Sequence, residues 1–149
     1  MNTYAYLLAR YPTTPTGLDT FDMVMVQFYE SYSKLHHSVT TLGVPPDQAL
    51  VQAVRAFLVC WTVDFSNDTS LDYPETQAKI RLPRFVIGLA NGWAKDSDRV
   101  VYISPEDCRK AFLALGPDVC YGFGFWTIGE EGRDGLFFAE ELNKFLNIR

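Results

Sequence analysis

The chain has 149 residues, 48% of them hydrophobic and 21% charged, with a formal net charge of −5 at pH 7. A chain of that length can bury a sizeable core without a metal or disulfide, so one globular domain over residues 1–149 is expected. Lys and Arg are scattered, the tightest group being Lys79, Arg81 and Arg84. With no basic stripe to neutralise phosphates, a nucleic-acid partner is disfavoured.

Charge is unevenly spread: residues 1–63 carry three basic and four acidic groups, residues 64–149 ten and fourteen. The first part therefore supplies most of the core or meets another protein. No charged leader followed by an apolar stretch opens the chain. The longest apolar run, residues 56–63, is far short of the roughly 20 residues a membrane span needs. Cys60, Cys108 and Cys120 are odd in number and far apart, with no C-x-x-C pair, which suggests neither a disulfide framework nor a zinc site. Three buried, reduced thiols fit a cytoplasmic protein without membrane contact.

Residues 4–9 suit a short strand, stopped by the Pro- and Gly-containing segment 11–17. Phe21, Met25, Phe28, Tyr32, Leu35, Val39 and Leu42 then recur at alternating steps of four and three. This apolar seam predicts a helix over residues 20–42, capped by Asp19 or Thr20 and stopped by Gly43 and Pro45. A second helix is expected over 46–63, with Pro46 in its first turn and Leu50, Ala53, Val54, Phe57, Leu58 and Trp61 inside. Residues 64–73 form a polar loop. A third helical segment starts near Pro74, is kinked at Pro83 and resumes over 85–93, weakened by Gly88 and Gly92. Residues 100–103 are β-prone. Ser104-Pro105-Glu106-Asp107 is a strong helix start, and Gly116-Pro117 ends that helix. Residues 119–128 read as a strand, 130–135 as a turn and 136–146 as a closing helix. The expected fold is α+β and predominantly helical: four or five helices around one core, with a minor two- or three-stranded β element.

Three groups of residues stand out as candidate sites. Asp64, Ser66, Asp68, Asp72 and Glu75 occupy positions 1, 3, 5, 9 and 12 of a twelve-residue frame between two expected helices. Alternating oxygens with a terminal glutamate are similar to an EF-hand calcium loop, but Thr69 stands where that loop requires glycine for its sharp turn. Segments 96–107 and 130–141 echo the pattern less completely. Tyr121, Phe123, Phe125 and Trp126 crowd into six residues, either as a core strand or as an aromatic platform for a partner. Met23, Val24 and Val26 lie off the helical seam, so residues 21–29 are apolar nearly all round. A second apolar face needs a cover, either the chain's own residues 4–8 or another protein.

His36 and His37 are adjacent, whereas a zinc-binding helix needs histidines four apart. Gly122-Phe123-Gly124 lacks the rest of a dinucleotide loop, and Glu130, Glu131, Glu140 and Glu141 have no motif context. No catalytic residue is assigned. The leading expectation is a non-catalytic protein-binding module, an inhibitor, adaptor or accessory subunit that meets another protein or itself and uses no cofactor. The alternatives are a degenerate calcium-responsive helix–loop–helix protein and an enzyme of unrecognised type. Because Thr69 blocks the turn, calorimetric titration with calcium should give no binding isotherm. Tight binding abolished by Glu75→Gln would establish the calcium loop instead.

Overall fold

Phe85-Val86-Ile87-Gly88-Leu89-Ala90 is apolar at six consecutive positions, and in the computed structural model all six are buried. The structure describes residues 3–59, 61–64, 66–67, 70, 76–78, 80 and 84–146. This run is the central strand of a three-stranded parallel sheet. It pairs on one side with Val24–Gln27 and on the other with Gly122–Trp126. In chain order the elements are α1 (Thr3–Arg10), β1 (Val24–Gln27), α2 (Lys34–Thr40), α3 (Pro46–Leu58), β2 (Trp61–Val63), β3 (Thr76–Ala78), β4 (Phe85–Ala90), α4 (Pro105–Leu115), β5 (Gly122–Trp126) and α5 (Phe138–Leu146). Short 3-10 turns occupy Gly92–Asp96, Ile128–Glu130 and Arg133–Gly135. β2 and β3 form a separate antiparallel pair. The architecture is α+β, with five α-helices among the described residues.

Four expected elements are corrected. The helix over 20–42 is in fact β1, a bend, and the short helix α2. β-branched Val24 and Val26 favour a strand, and with Phe28 they turn inward, while Met23, Met25 and Gln27 turn outward. An apolar run on both sides is what a parallel strand looks like, and here it mimicked a seam of period 3.5. Phe28 and Leu35 of that seam are buried, but Tyr32 and Leu42 are exposed. Asp19 is not a helix cap; its carboxylate meets Arg84 Nε at 2.8 Å, and Arg84 Nη1 also donates to the Phe21 carbonyl (3.1 Å). The helix starts instead at Ser33, whose Oγ accepts from His36 N (3.0 Å) and donates to the Phe28 carbonyl (3.1 Å).

Residues 4–9 belong to helix α1, which lies against the β2–β3 pair, with Ala5 against Ala78, while Leu8 packs on the main core. The second helix stops at Leu58, and Trp61–Val63 is strand β2. The helical segment expected from Pro74 to 93 is replaced by β3, β4 and a 3-10 turn; Pro74 and Pro83 lie outside the described residues. The capped and glycine-stopped elements stand as expected. Ser104 Oγ accepts from Asp107 N (3.1 Å) and donates to its carboxylate (2.6 Å), Pro105 opens α4, and Gly116 ends it at φ 96°. Gly43 adopts φ 66° after α2.

Helices α3, α4 and α5 cover the sheet's inner face. Leu50 and Val54 of α3, Cys108 and Phe112 of α4, and Phe138, Leu142 and Phe145 of α5 share one buried cluster with Phe85, Ile87 and Leu89. Edge-on aromatic contacts tie the layers, Phe28 to Phe57 (5.8 Å) and Phe123 to Phe145 (6.0 Å) among them. Cys108 and Cys120 are buried here, and desolvation, helped by Asp107, raises the Cys108 thiol pKa. Cys60 lies outside the described residues.

Gly88 is required by the close approach of β1 to β4: a Cβ there would stand 2.7 Å from the Val26 carbonyl oxygen. Gly88→Ala should therefore cost about 1–3 kcal/mol, as overpacking does. Gly122→Ala, on the same face with nothing within 4 Å of the added carbon, should be nearly neutral. Were this segment helical, Gly88→Ala would instead stabilise by about 1 kcal/mol. Urea unfolding of the two variants distinguishes these outcomes.

Candidate functional site

All three parallel strands end at the same side of the sheet, and the residues that follow them meet there. In parallel α/β sheets this carboxyl edge is where loops converge and ligands bind. Beyond β1 the chain bends at Tyr29 and Glu30. Val101 N donates to the Tyr29 carbonyl (3.0 Å), and Glu30 forms a backbone bridge with Val100. Beyond β4 comes Asn91, then the 3-10 turn carrying Trp93 and Ala94. Beyond β5 comes Thr127, joined to Trp126 by a cis peptide bond.

The Trp126 carbonyl accepts two bonds across this edge, from Asn91 N (3.2 Å) and from Trp93 Nε1 (2.6 Å). Asn91 is completely buried; its Nδ2 donates to the Thr127 carbonyl (2.9 Å) and lies 3.5 Å from Glu131 Oε2. The other Glu131 oxygen accepts from Ala139 N (2.6 Å) and so caps the first turn of α5. One amide side chain thus joins the ends of β4 and β5 to the start of α5. Asn91 Oδ1 has no hydrogen-bond partner among the described residues, a state that buried oxygens seldom hold.

Above this floor lies an open groove of about 320 Å³, lined by Gln27, Tyr29, Glu30, Trp93, Val100 and Trp126. Tyr29 is buried against Ala90 and Ala94, whereas Trp126 projects into solvent. Burial first, and then the neighbouring Glu30, raises the Tyr29 hydroxyl pKa, so the phenol stays neutral well above physiological pH. Behind it, burial pushes Tyr102 up to about 12. Lys95 Nζ sits 5.6 Å from the Tyr102 ring centre and so is engaged away from the groove. Among the described residues no Lys, Arg or His lines the groove.

The residues singled out in the sequence separate into two groups. Val24, Val26, Phe123 and Phe125 face inward and pack on the core. Met23, Tyr121 and Trp126 are 57%, 70% and 62% exposed. On the sheet's outer face, with Met23 and Trp126, Met25, itself half exposed, lies across Gly88 and Gly124, its sulfur 2.7 Å from where a Gly124 Cβ would be. Of the calcium-like set, Asp64 and Ser66 form a local turn in which Asp64 Oδ1 accepts from Ser66 N (2.8 Å). The Ser66 side-chain bond, and then the backbone one, lowers the Asp64 carboxyl pKa. Asp68, Asp72 and Glu75 lie outside the described residues. Among the described residues no group of three or more His, Cys, Asp or Glu side chains is placed to hold a metal ion.

Tyr29, Glu30, Asn91, Trp93 and Val100 were not singled out from the sequence. The signal available was Asn91-Gly92-Trp93 directly after a six-residue apolar run, which marks the loop at the end of a buried strand. No protein-family model matches this chain, and no significant match is found among curated proteins or solved structures.

Asn91→Ala should cost about 1–3 kcal/mol, because it removes a completely buried side chain and its bond to the Thr127 carbonyl, which then keeps only Glu130 N (3.1 Å) as donor. Gln27→Ala, exposed at the rim of the same groove, should leave the thermal unfolding midpoint unchanged.

Proposed function

We propose that the protein is a small non-catalytic protein-binding module that meets another protein through the outer face of its parallel sheet. The observation that carries this reading is the coverage of that sheet. Parallel sheets almost always have both faces covered, because their crossover helices pack on them. Here α3, α4 and α5 cover the inner face, while on the outer face Met23, Met25 and Trp126 stand exposed around a floor of Val86, Gly88, Gly122 and Gly124. None of these residues is charged. Thioether and aromatic side chains of this kind anchor protein interfaces and adapt to a partner's surface.

A charge-free face lets a protein of net charge −5 approach partners of either sign without burying an unpaired charge. A second copy of the chain is the competing occupant, and sedimentation of the isolated protein tests it directly. The main experiment compares proteins retained by the wild-type chain, by Met25→Glu and by Leu113→Glu, an exposed apolar control on α4. Both variants and the wild type should unfold at similar temperatures. Met25→Glu should lose its retained partner by tenfold or more, while Leu113→Glu keeps it. Equal retention by Met25→Glu and wild type would overturn the reading.

A further inference from the structure

We propose that the groove at the carboxyl edge of the sheet is a binding site for an alkylated ammonium cation. Its lining combines three aromatic side chains, Tyr29, Trp93 and Trp126, with one carboxylate, Glu30. Aromatic faces present negative charge to a cation, and such faces around a soft, weakly hydrated ammonium are a known recognition mode. A volume of about 320 Å³ suits a group the size of a single side chain or small headgroup.

Charge decides the ligand class. Glu30 is partly buried, and among the described residues no Lys, Arg or His side chain forms an ion pair with it. Lys95 lies over Tyr102, Arg133 pairs with Glu130 at 2.7 Å, and neither is among the described residues that line the groove. Glu30 is thus the one charged side chain among the described residues that line the groove, and its carboxylate beside aromatic rings disfavours an anion and favours a monovalent cation over a neutral ligand. A hard divalent ion wants six or more oxygens, which one carboxylate and one amide do not supply. An alkylated ammonium needs no such shell; its methyl groups meet the rings and its charge meets Glu30.

Two features hold the site open. The Trp93 indole is fixed by its bond from Nε1 to the Trp126 carbonyl, and Tyr29 is fixed by burial against Ala90 and Ala94. Trp126 is the adjustable wall, exposed and at the end of β5. This proposal stands apart from docking on the outer face, since its determinants are Glu30 and Trp93, whereas docking turns on Met25.

The test is a titration of the full chain with choline chloride, followed by tryptophan emission, with sodium chloride holding ionic strength constant. Two of the three tryptophans, Trp93 and Trp126, line the groove and report on it. The expected result is a saturable change with choline and none with 3,3-dimethyl-1-butanol, its neutral isostere. Glu30→Gln should weaken choline by about tenfold, and Trp93→Phe should weaken it while preserving the fold. A trimethyl-lysine peptide and its unmethylated form make up the second arm. Preference for the methylated peptide over choline assigns the cation to a protein side chain; preference for choline assigns it to a free small molecule. The proposal is overturned if choline gives no saturable change, if the isostere binds as well, if methyl glucoside binds better, or if Glu30→Gln binds like wild type.

Discussion

Burial of β4 on both faces is the constraint from which the rest of the structure follows. Its inward residues Phe85, Ile87 and Leu89 anchor the helical layer, and its outward residues Val86, Gly88 and Ala90 are buried as well. Both neighbouring strands run parallel to it, so each connection must cross from one end of the sheet to the other. Helices α3 and α4 lie in those crossovers and pack together, with Arg55 of α3 reaching the Ala114 carbonyl of α4 at 3.3 Å. The core is therefore one-sided. It is dense beneath the sheet, where the aromatic contacts interlock, and thin above it, where Met25 lies over two glycines.

That asymmetry places the chemically interesting surface. The glycines bring β1 and β5 close to β4 but leave little of their own to cover the sheet. The outer face consequently depends on a flexible thioether and on an aromatic residue at its margin. At the carboxyl edge the three strands release their chains together, and Asn91 ties two of those ends to the first turn of α5 through Thr127 and Glu131. The polar atoms of this edge mostly satisfy one another, so the groove above is left with aromatic faces and a single carboxylate.

The outer face and the groove have different physical characters. The face is neutral, broad and apolar, suited to an extended protein surface. The groove is small, aromatic and negative, suited to a single cationic group. They meet at Trp126, which belongs to both.

What the sequence by itself determined was local. Ser104 and Pro105 start α4, Gly116 stops it, Pro46 opens α3, and the segment after Gly135 closes the chain as a helix, because caps and stops act within a single turn. The alternation of Phe123 and Phe125 with glycines likewise marked β5. Periodicity alone misread residues 20–42 and 85–93. An apolar run becomes strand or helix according to what it pairs with, and those partners lie about sixty residues away, as Val24 with Phe85. The same limit applied to function. Met23 and Trp126 were legible as excess apolar surface, but their separation from inward-facing Val26 and Phe125 depended on strand register. The groove could not be read at all, because Tyr29, Trp93 and Trp126 become neighbours only when three distant strands end at one edge.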